Sequence, residues 1–229
     1  GPYYAWARAV DGRLPTKNEP QNFDLAAQVA AIISGVAEGK TKRIISAIRK
    51  QFPRLVPNIW PPYPQMTESV LSQAVPGRGQ NGSIDVSLIC ELAEAAAISD
   101  ETDYAWQLLS QITNTFWQAD FLDNNKDYSA QRLTGSFGSA AIFTKVLQET
   151  ILGVQPTLLG LKINPHLPSS WRQVEVSRRF RGADYHIRIQ NPLRVTSGVD
   201  RIVVDGIRIV GNTIRPFSGG VHFVEVVLG

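Results

Sequence analysis

Thr134-Gly135 opens a stretch whose apolar spacing predicts a helix from about Gly135 to Leu152. At a helix start the first N–H groups lack partners and the dipole favours negative charge, so an anion could be held there. The Thr134 hydroxyl would add a donor, and Gly135 would let an anion approach the main chain. A plainer role fits the same pair, with Thr134 as an N-cap and Gly135 as a packing position. Trp60, Tyr63, Trp117 and Phe121 offer flat faces of the kind that stack on sugar rings, or that fill a core. Asp123-Asn124-Asn125-Lys126-Asp127 has the look of half a calcium loop without its central glycine or terminal glutamate, and reads as a polar turn. His166, His186 and His222 lack metal-ligand spacing, so no metal is expected. His186 and His222 fall in alternating stretches and are expected to face solvent. Asp24 has the chemistry of an acid, but its place near a helix start fits a cap or a dipole partner.

The elements that must position these residues change character near residue 160. Before it, apolar residues recur at helical spacing. A first helix is expected from about Asn22, as N-cap, to Glu38, with Phe23, Ala26, Ala27, Ala30, Ile33 and Ser34 as a small-residue stripe ended by Gly39. A second follows Thr41 and stops before Pro53, a third runs from about Ile84 to Ile98, and a fourth follows Asp100. The stretch from Pro53 to Gly82, rich in proline and holding Trp60 and Tyr63, is an ordered loop lining something. A further loop from Thr115 to Arg132 leads to the fifth helix. After residue 160, apolar residues alternate, and strands are expected at Val174–Ser177, Tyr185–Gln190, Ile202–Val204 and Val221–Leu228. Turns fall at Gly182, Gly198, Asp205-Gly206 and Gly219-Gly220. The fold class is therefore α+β, helices followed by a small antiparallel sheet or sandwich. The expected boundary separates residues 1–159 from residues 160–229.

Composition narrows the function classes. Of 229 residues, 43% are hydrophobic and 19% charged, which fits a folded globular chain. A formal charge of +3 with scattered Lys and Arg gives no basic face beyond Arg178-Arg179-Phe180-Arg181, so no nucleic-acid partner is expected. No apolar run approaches the roughly 20 residues that span a bilayer, so no membrane association is expected. The sole cysteine, Cys90, excludes an intrachain disulfide and suits a cytoplasmic setting. Asn81-Gly82-Ser83 is an accidental sequon there.

The order of motifs is more specific than any single one. Gly160-Leu161-Lys162-Ile163-Asn164-Pro165, then Leu167-Pro168 and Trp171, Phe180-Arg181-Gly182-Ala183, Tyr185-His186-Ile187 and Asn191-Pro192 follow one another near the end. Upstream lie Tyr3-Tyr4, Arg8-Ala9, Asp11-Gly12, Asn18-Glu19, Phe23-Asp24-Leu25, Ile33-Ser34-Gly35, Asn81-Gly82, Leu133-Thr134-Gly135-Ser136 and Ile151-Leu152-Gly153-Val154. Val203-Val204-Asp205-Gly206 and Val226-Val227-Leu228-Gly229 close the series. This string resembles the C-terminal part of inverting glycan phosphorylases of glycoside hydrolase family 94.

The resemblance implies the last helices of an (α/α)6 barrel with a C-terminal β-sheet layer. It implies phosphorolysis of a β-linked glucan or disaccharide with inversion, a glycosyltransferase-type reaction. Inorganic phosphate is then the co-substrate, with no organic cofactor. In that chemistry an acid protonates the leaving oxygen and the nucleophile attacks the opposite face. Phosphate needs no base carboxylate. The family's Thr-Gly pair binds phosphate, and Thr134 and Gly135 match it. Ser87 stands where a gapless reading from Asn81 puts the family's phosphate-binding histidine. Gly79 stands where the family has a lysine, with Arg78 beside it as a substitute. Trp60, Tyr63, Trp117, Gln118 and Asp120 would meet the sugar. No catalytic residue is expected in this chain, because the general acid belongs to an Asp-Trp-Asn-Asp motif that these residues do not contain.

Three functions follow: an enzyme segment inactive without its upstream portion, a divergent non-catalytic glycan-binding or structural protein, or a hydrolase using Asp85 or Asp120 as base. A partial barrel would leave Ala26, Ala27 and Ala30 uncovered, so the expected partner is a complementary N-terminal portion or a second copy.

Overall fold

The computed structural model describes residues 3–4, 23–62, 76–77, 81–116, 133–134 and 137–229. Tyr63, Arg78, Trp117, Gln118, Asp120 and Gly135 lie outside them, as do Asn22, Phe121 and the 123–127 turn. The chain divides into two compact units, one of Gly1–Ala95 with Gln107–Phe143, the other of Ala96–Trp106 with Thr144–Gly229. Among the described residues no helix is long and apolar enough to cross a membrane.

In the first unit, β1 (Phe23–Asp24) runs directly into α1 (Leu25–Ile33). The N-cap is Asp24, whose Oδ1 accepts the Ala27 N–H at 2.8 Å. The helix is shorter than its periodicity predicts, because Gly35 adopts φ +80° just past the Ser34 cap. Leu25, Gln28, Val29 and Ile32 are buried while Ala26, Ala30 and Ile33 are exposed. The buried Gln28 reaches the Tyr4 main chain, accepting its N–H at 2.8 Å and donating to its carbonyl at 2.7 Å. Such pairing removes the cost of an unsatisfied buried amide.

Helix α2 (Thr41–Gln51) buries Ile44, Ile45 and Ile48, each contributing about 1.5–3 kcal/mol by leaving water. It ends as Phe52, which precedes Pro53, leaves the helical region. After β2 (Ile59–Trp60) and β3 (Ile84–Asp85) comes α3 (Val86–Ala97). Cys90 is wholly buried on it. Burial, with Glu91 and Asp85 adding, pushes its thiol up to about 12, so it is inert in the folded state. Helix α4 (Thr102–Phe116) leads on to β4 (Leu133–Thr134) and α5 (Phe137–Lys145), which continues as a π-helical turn over Val146–Ile151.

The second unit holds Ala96–Trp106, with the start of α4, the π-helical turn and a β-sandwich, so the chain is α+β. One sheet has the order β11 (Thr213–Ile214), β6 (Leu161–Ile163), β5 (Val154–Pro156). The larger has the order β10 (Ile207–Ile209), β9 (Val199–Val204), β12 (Gly220–Leu228), β8 (Ala183–Gln190), β7 (Gln173–Phe180). Alternation sets the faces: Tyr185, Ile187, Ile189, Val224, Val226 and Leu228 meet Val154, Leu161, Ile163 and Ile214 in one core. The hairpins β7–β8 and β9–β10 turn through Arg181-Gly182 and Asp205-Gly206, all at positive φ, as a type I′ turn requires. One pairing departs from the antiparallel expectation. β12 lies parallel to β8, and residues 191–219 between them supply the long crossover such pairing needs.

Candidate functional site

Three strand-to-helix junctions of the first unit are joined edge to edge. β1 pairs with β2, setting Phe23 opposite Trp60 and Asp24 opposite Ile59. Asn58, buried in the segment entering β2, ties this pair to the next junction. Its carbonyl accepts the Leu25 N–H at 2.8 Å, its N–H donates to the Ser83 carbonyl at 2.8 Å, and its Oδ1 accepts the Asp85 N–H at 3.2 Å. β3 in turn pairs with β4 in parallel, setting Ile84 opposite Leu133 and Asp85 opposite Thr134. The chain therefore enters α1, α3 and α5 from one laced rim.

Local geometry explains the sequence at that rim. Gly82 adopts φ +97°, and a Cβ there would lie 2.8 Å from Pro62 Cγ and 3.2 Å from the Ile59 carbonyl oxygen. Only glycine satisfies both constraints. Asn81 and Ser83 on either side are buried.

Asp85 begins α3, its Oδ1 accepting the N–H groups of Ser87 at 2.7 Å and Leu88 at 3.4 Å. Free donors at the α3 start are thus already engaged by a carboxylate, and this oxygen of Asp85 is occupied as a helix cap. Ser87 lies within hydrogen-bonding distance of Ser139, Oγ to Oγ 2.8 Å, which links α3 to α5. Of the residues predicted to hold an anion, the fold sets the Thr134 backbone opposite Asp85, two residues before Ser87. Thr134 lies in a short strand before α5 rather than in the helix itself.

Trp60 ends a run of rings. Tyr3 meets Phe23 edge-on at 4.9 Å, Phe23 meets Phe52 at 5.0 Å, and Phe52 meets Trp60 at 6.4 Å. The inner rings pack toward the Trp60 indole, which is itself 42% exposed. Burial raises the Asp24 carboxyl above its ordinary range against the opposing pull of the Ala27 and Ala26 N–H groups, while the side chain serves as a cap.

Asn58 and Ser139 were not expected from sequence. A polar residue among Val56, Pro57 and Ile59 is a faint signal for a buried linker. Ser139 gives none, since a serine among alanines on a helix looks like any small packing residue.

In the second unit, His186 follows expectation: it is exposed, 3.2 Å from the Ser177 hydroxyl. His222 does not face solvent freely. It is half-buried between Asp205 and the Gly219 carbonyl because it lies on the core side of β12, opposite Tyr185. Arg178 bonds Gln148, and Arg181 donates to the carbonyls of Thr157 and Leu158. Arg178 thus braces the π-helical turn and Arg181 the loop after β5, both in their own unit.

No protein-family profile matches the chain. It is similar to disaccharide phosphorylases of the glycoside hydrolase family 94 type. One relative is the N,N'-diacetylchitobiose phosphorylase of Vibrio proteolyticus, 41% identical over 97 residues, 42% of this chain and 12% of the enzyme. The 3-O-beta-D-glucopyranosyl-beta-D-glucuronide phosphorylase of Paenibacillus borealis is 28% identical over 83% of this chain and 27% of its own length. The solabiose phosphorylase of Paenibacillus borealis is 25% identical over 88% of this chain and 29% of its own length. The chain thus matches well under a third of each of these relatives.

Proposed function

We propose that this chain is the phosphate-side segment of an inverting phosphorylase acting on a β-linked disaccharide or glucan. The observation that carries the reading is the parallel β3–β4 pair, which sets Ile84 opposite Leu133 and Asp85 opposite Thr134 just ahead of α3 and α5. A phosphate held there would take its donors from Thr134, Gly135 and the first turn of α5, since Asp85 already occupies the start of α3. Ser87 would offer a hydroxyl, and Arg78 a positive charge. Trp60, Tyr63 and Trp117 would stack on the sugar, with Gln118 and Asp120 on its hydroxyls.

In this reading the helices complete an (α/α)6 barrel with an upstream portion that carries the general acid. That acid protonates the glycosidic oxygen, and phosphate attacks the anomeric carbon from the opposite face. The exposed Ala26, Ala30 and Ile33 of α1 are the surface such a portion would cover. A cytoplasmic setting supplies the phosphate. The chain alone would then be inactive.

One departure favours a second reading. Ser87 cannot carry the charge of an imidazolium, as a divergent non-catalytic glycan-binding protein would tolerate. Supplying the upstream portion, a β-linked disaccharide such as chitobiose or cellobiose, and phosphate separates the two. The enzyme reading expects sugar 1-phosphate that forms only when both protein parts and phosphate are present. No product, with sugar binding retained, would overturn it in favour of the second.

A further inference from the structure

His222 occupies a position that a neutral imidazole satisfies only by half. Its Nδ1 lies 2.7 Å from Asp205 Oδ2, and its Nε2 lies 3.0 Å from the Gly219 carbonyl oxygen. A carboxylate and a carbonyl both accept, so each ring nitrogen must carry a proton for both contacts to be hydrogen bonds. The other Asp205 oxygen accepts the Phe223 N–H at 2.9 Å, which fixes the carboxylate facing the ring. Phe217 stacks on the imidazole with centroids 3.7 Å apart and planes 19° apart, a placement that favours a cation.

The groups around the ring come from three elements. The β9–β10 turn contributes Asp205, and the segment entering β12 contributes Phe217 and the Gly219 carbonyl. β8 contributes Tyr185, with its ring centroid 5.7 Å away and its hydroxyl accepting the Phe217 N–H at 3.3 Å. Asp205 supplies the negative charge, and the Tyr185 phenol is the other titratable group facing the site.

We propose that His222 is a pH-sensitive clasp: as an imidazolium it joins the Asp205-Gly206 turn to the Phe217–Gly219 segment, and as a neutral ring it releases that segment. The remaining proton stays on Nδ1, because a carboxylate is the stronger acceptor. Nε2 then presents a lone pair to the Gly219 oxygen, and that contact is lost. The hydrogen bond to Asp205 and then that to Gly219 raise His222 above its ordinary value. The bond from His222 and then the Phe223 N–H lower Asp205 below its own. His222 therefore stabilises the fold fully below about pH 6.5, its unfolded value, and the contribution fades as pH rises through the higher folded value. The Asp205 contribution is present above the ordinary carboxylate range and is lost as pH falls through the depressed value.

Imidazole ¹⁵N spectra recorded against pH test the clasp in the intact chain. At pH 6.5 the expected result is a His222 ring mostly protonated at both nitrogens, with a midpoint above the ordinary imidazole value of about 6.5. The backbone amides of Phe217 to Gly220 should move with the His222 midpoint. Asp205→Asn should lower that midpoint, since the bond to Asp205 is the largest cause of its rise. His222→Gln should leave the same amides without a transition between pH 6 and 9. A His222 midpoint at or below about 6.5, or amides that ignore it, would overturn the proposal.

Discussion

Replacing Gly153 or Gly160 with alanine is expected to disrupt the β-sandwich more than any other single change of similar size. At Gly153, φ is +66° and a Cβ would fall 2.2 Å from Asn164 C and Pro165 N. At Gly160, φ is +151° and a Cβ would fall 2.1 Å from the Ile214 carbonyl oxygen. Both obstacles are backbone and cannot rotate aside. Left-handed strain of about 1–2 kcal/mol adds to an overpacking cost of about 1–3 kcal/mol, so about 3 kcal/mol lies near the middle of the combined range. For a chain of this size that lowers the melting temperature by roughly 6–12 °C. Gly211→Ala is the control, with φ +77° and nothing within 4 Å of the added carbon. It should cost only the backbone strain. Equal melting temperatures for Gly153→Ala and Gly211→Ala would show that these close approaches do not govern the fold.

The second large effect is expected at Asn58. Alanine there removes the acceptor for the Asp85 N–H and keeps the two main-chain bonds to Leu25 and Ser83. Leaving a part-buried donor unpaired costs about 1–3 kcal/mol. The consequence should be local as well as global. Amide exchange at Asp85 should quicken at least tenfold, and at Ser87 as its cap loosens, while amides in β8 and β12 keep their protection. Unchanged exchange at Asp85 would mean that β3 is held by its β4 pairing alone.

Much of this fold is legible in the sequence because its signals are local. Alternation in β8 and β12 reports which residues meet the core, and Arg181-Gly182 and Asp205-Gly206 report hairpins through their need for positive φ. The end of α2 follows from Pro53. Other features are long-range and leave no periodic trace. Periodicity extends α1 past Gly35, because Val36 and Ala37 continue the apolar count after the backbone has turned. The parallel placement of β12 beside β8 depends on which edge the returning chain finds. At the rim, Asp85 and Thr134, 49 residues apart in sequence, are brought opposite each other only through the β3–β4 pair. Asn58 and Ser139 make contacts that no residue near them in sequence foretells. His222 looks like a solvent-facing strand residue until Asp205 and Phe217 are brought to it.

Phosphate titration of the ¹⁵N-labelled chain is the most direct measurement of whether the rim of α1, α3 and α5 is an anion site. The predicted result is a saturable change confined to the amides of Thr134, Gly135 and the first turn of α5, with a smaller change at Ser87. Thr134→Ala should weaken it several-fold. Changes confined to the arginines of β7, or none at the rim at concentrations that saturate other sites, would contradict a phosphorylase role for this segment.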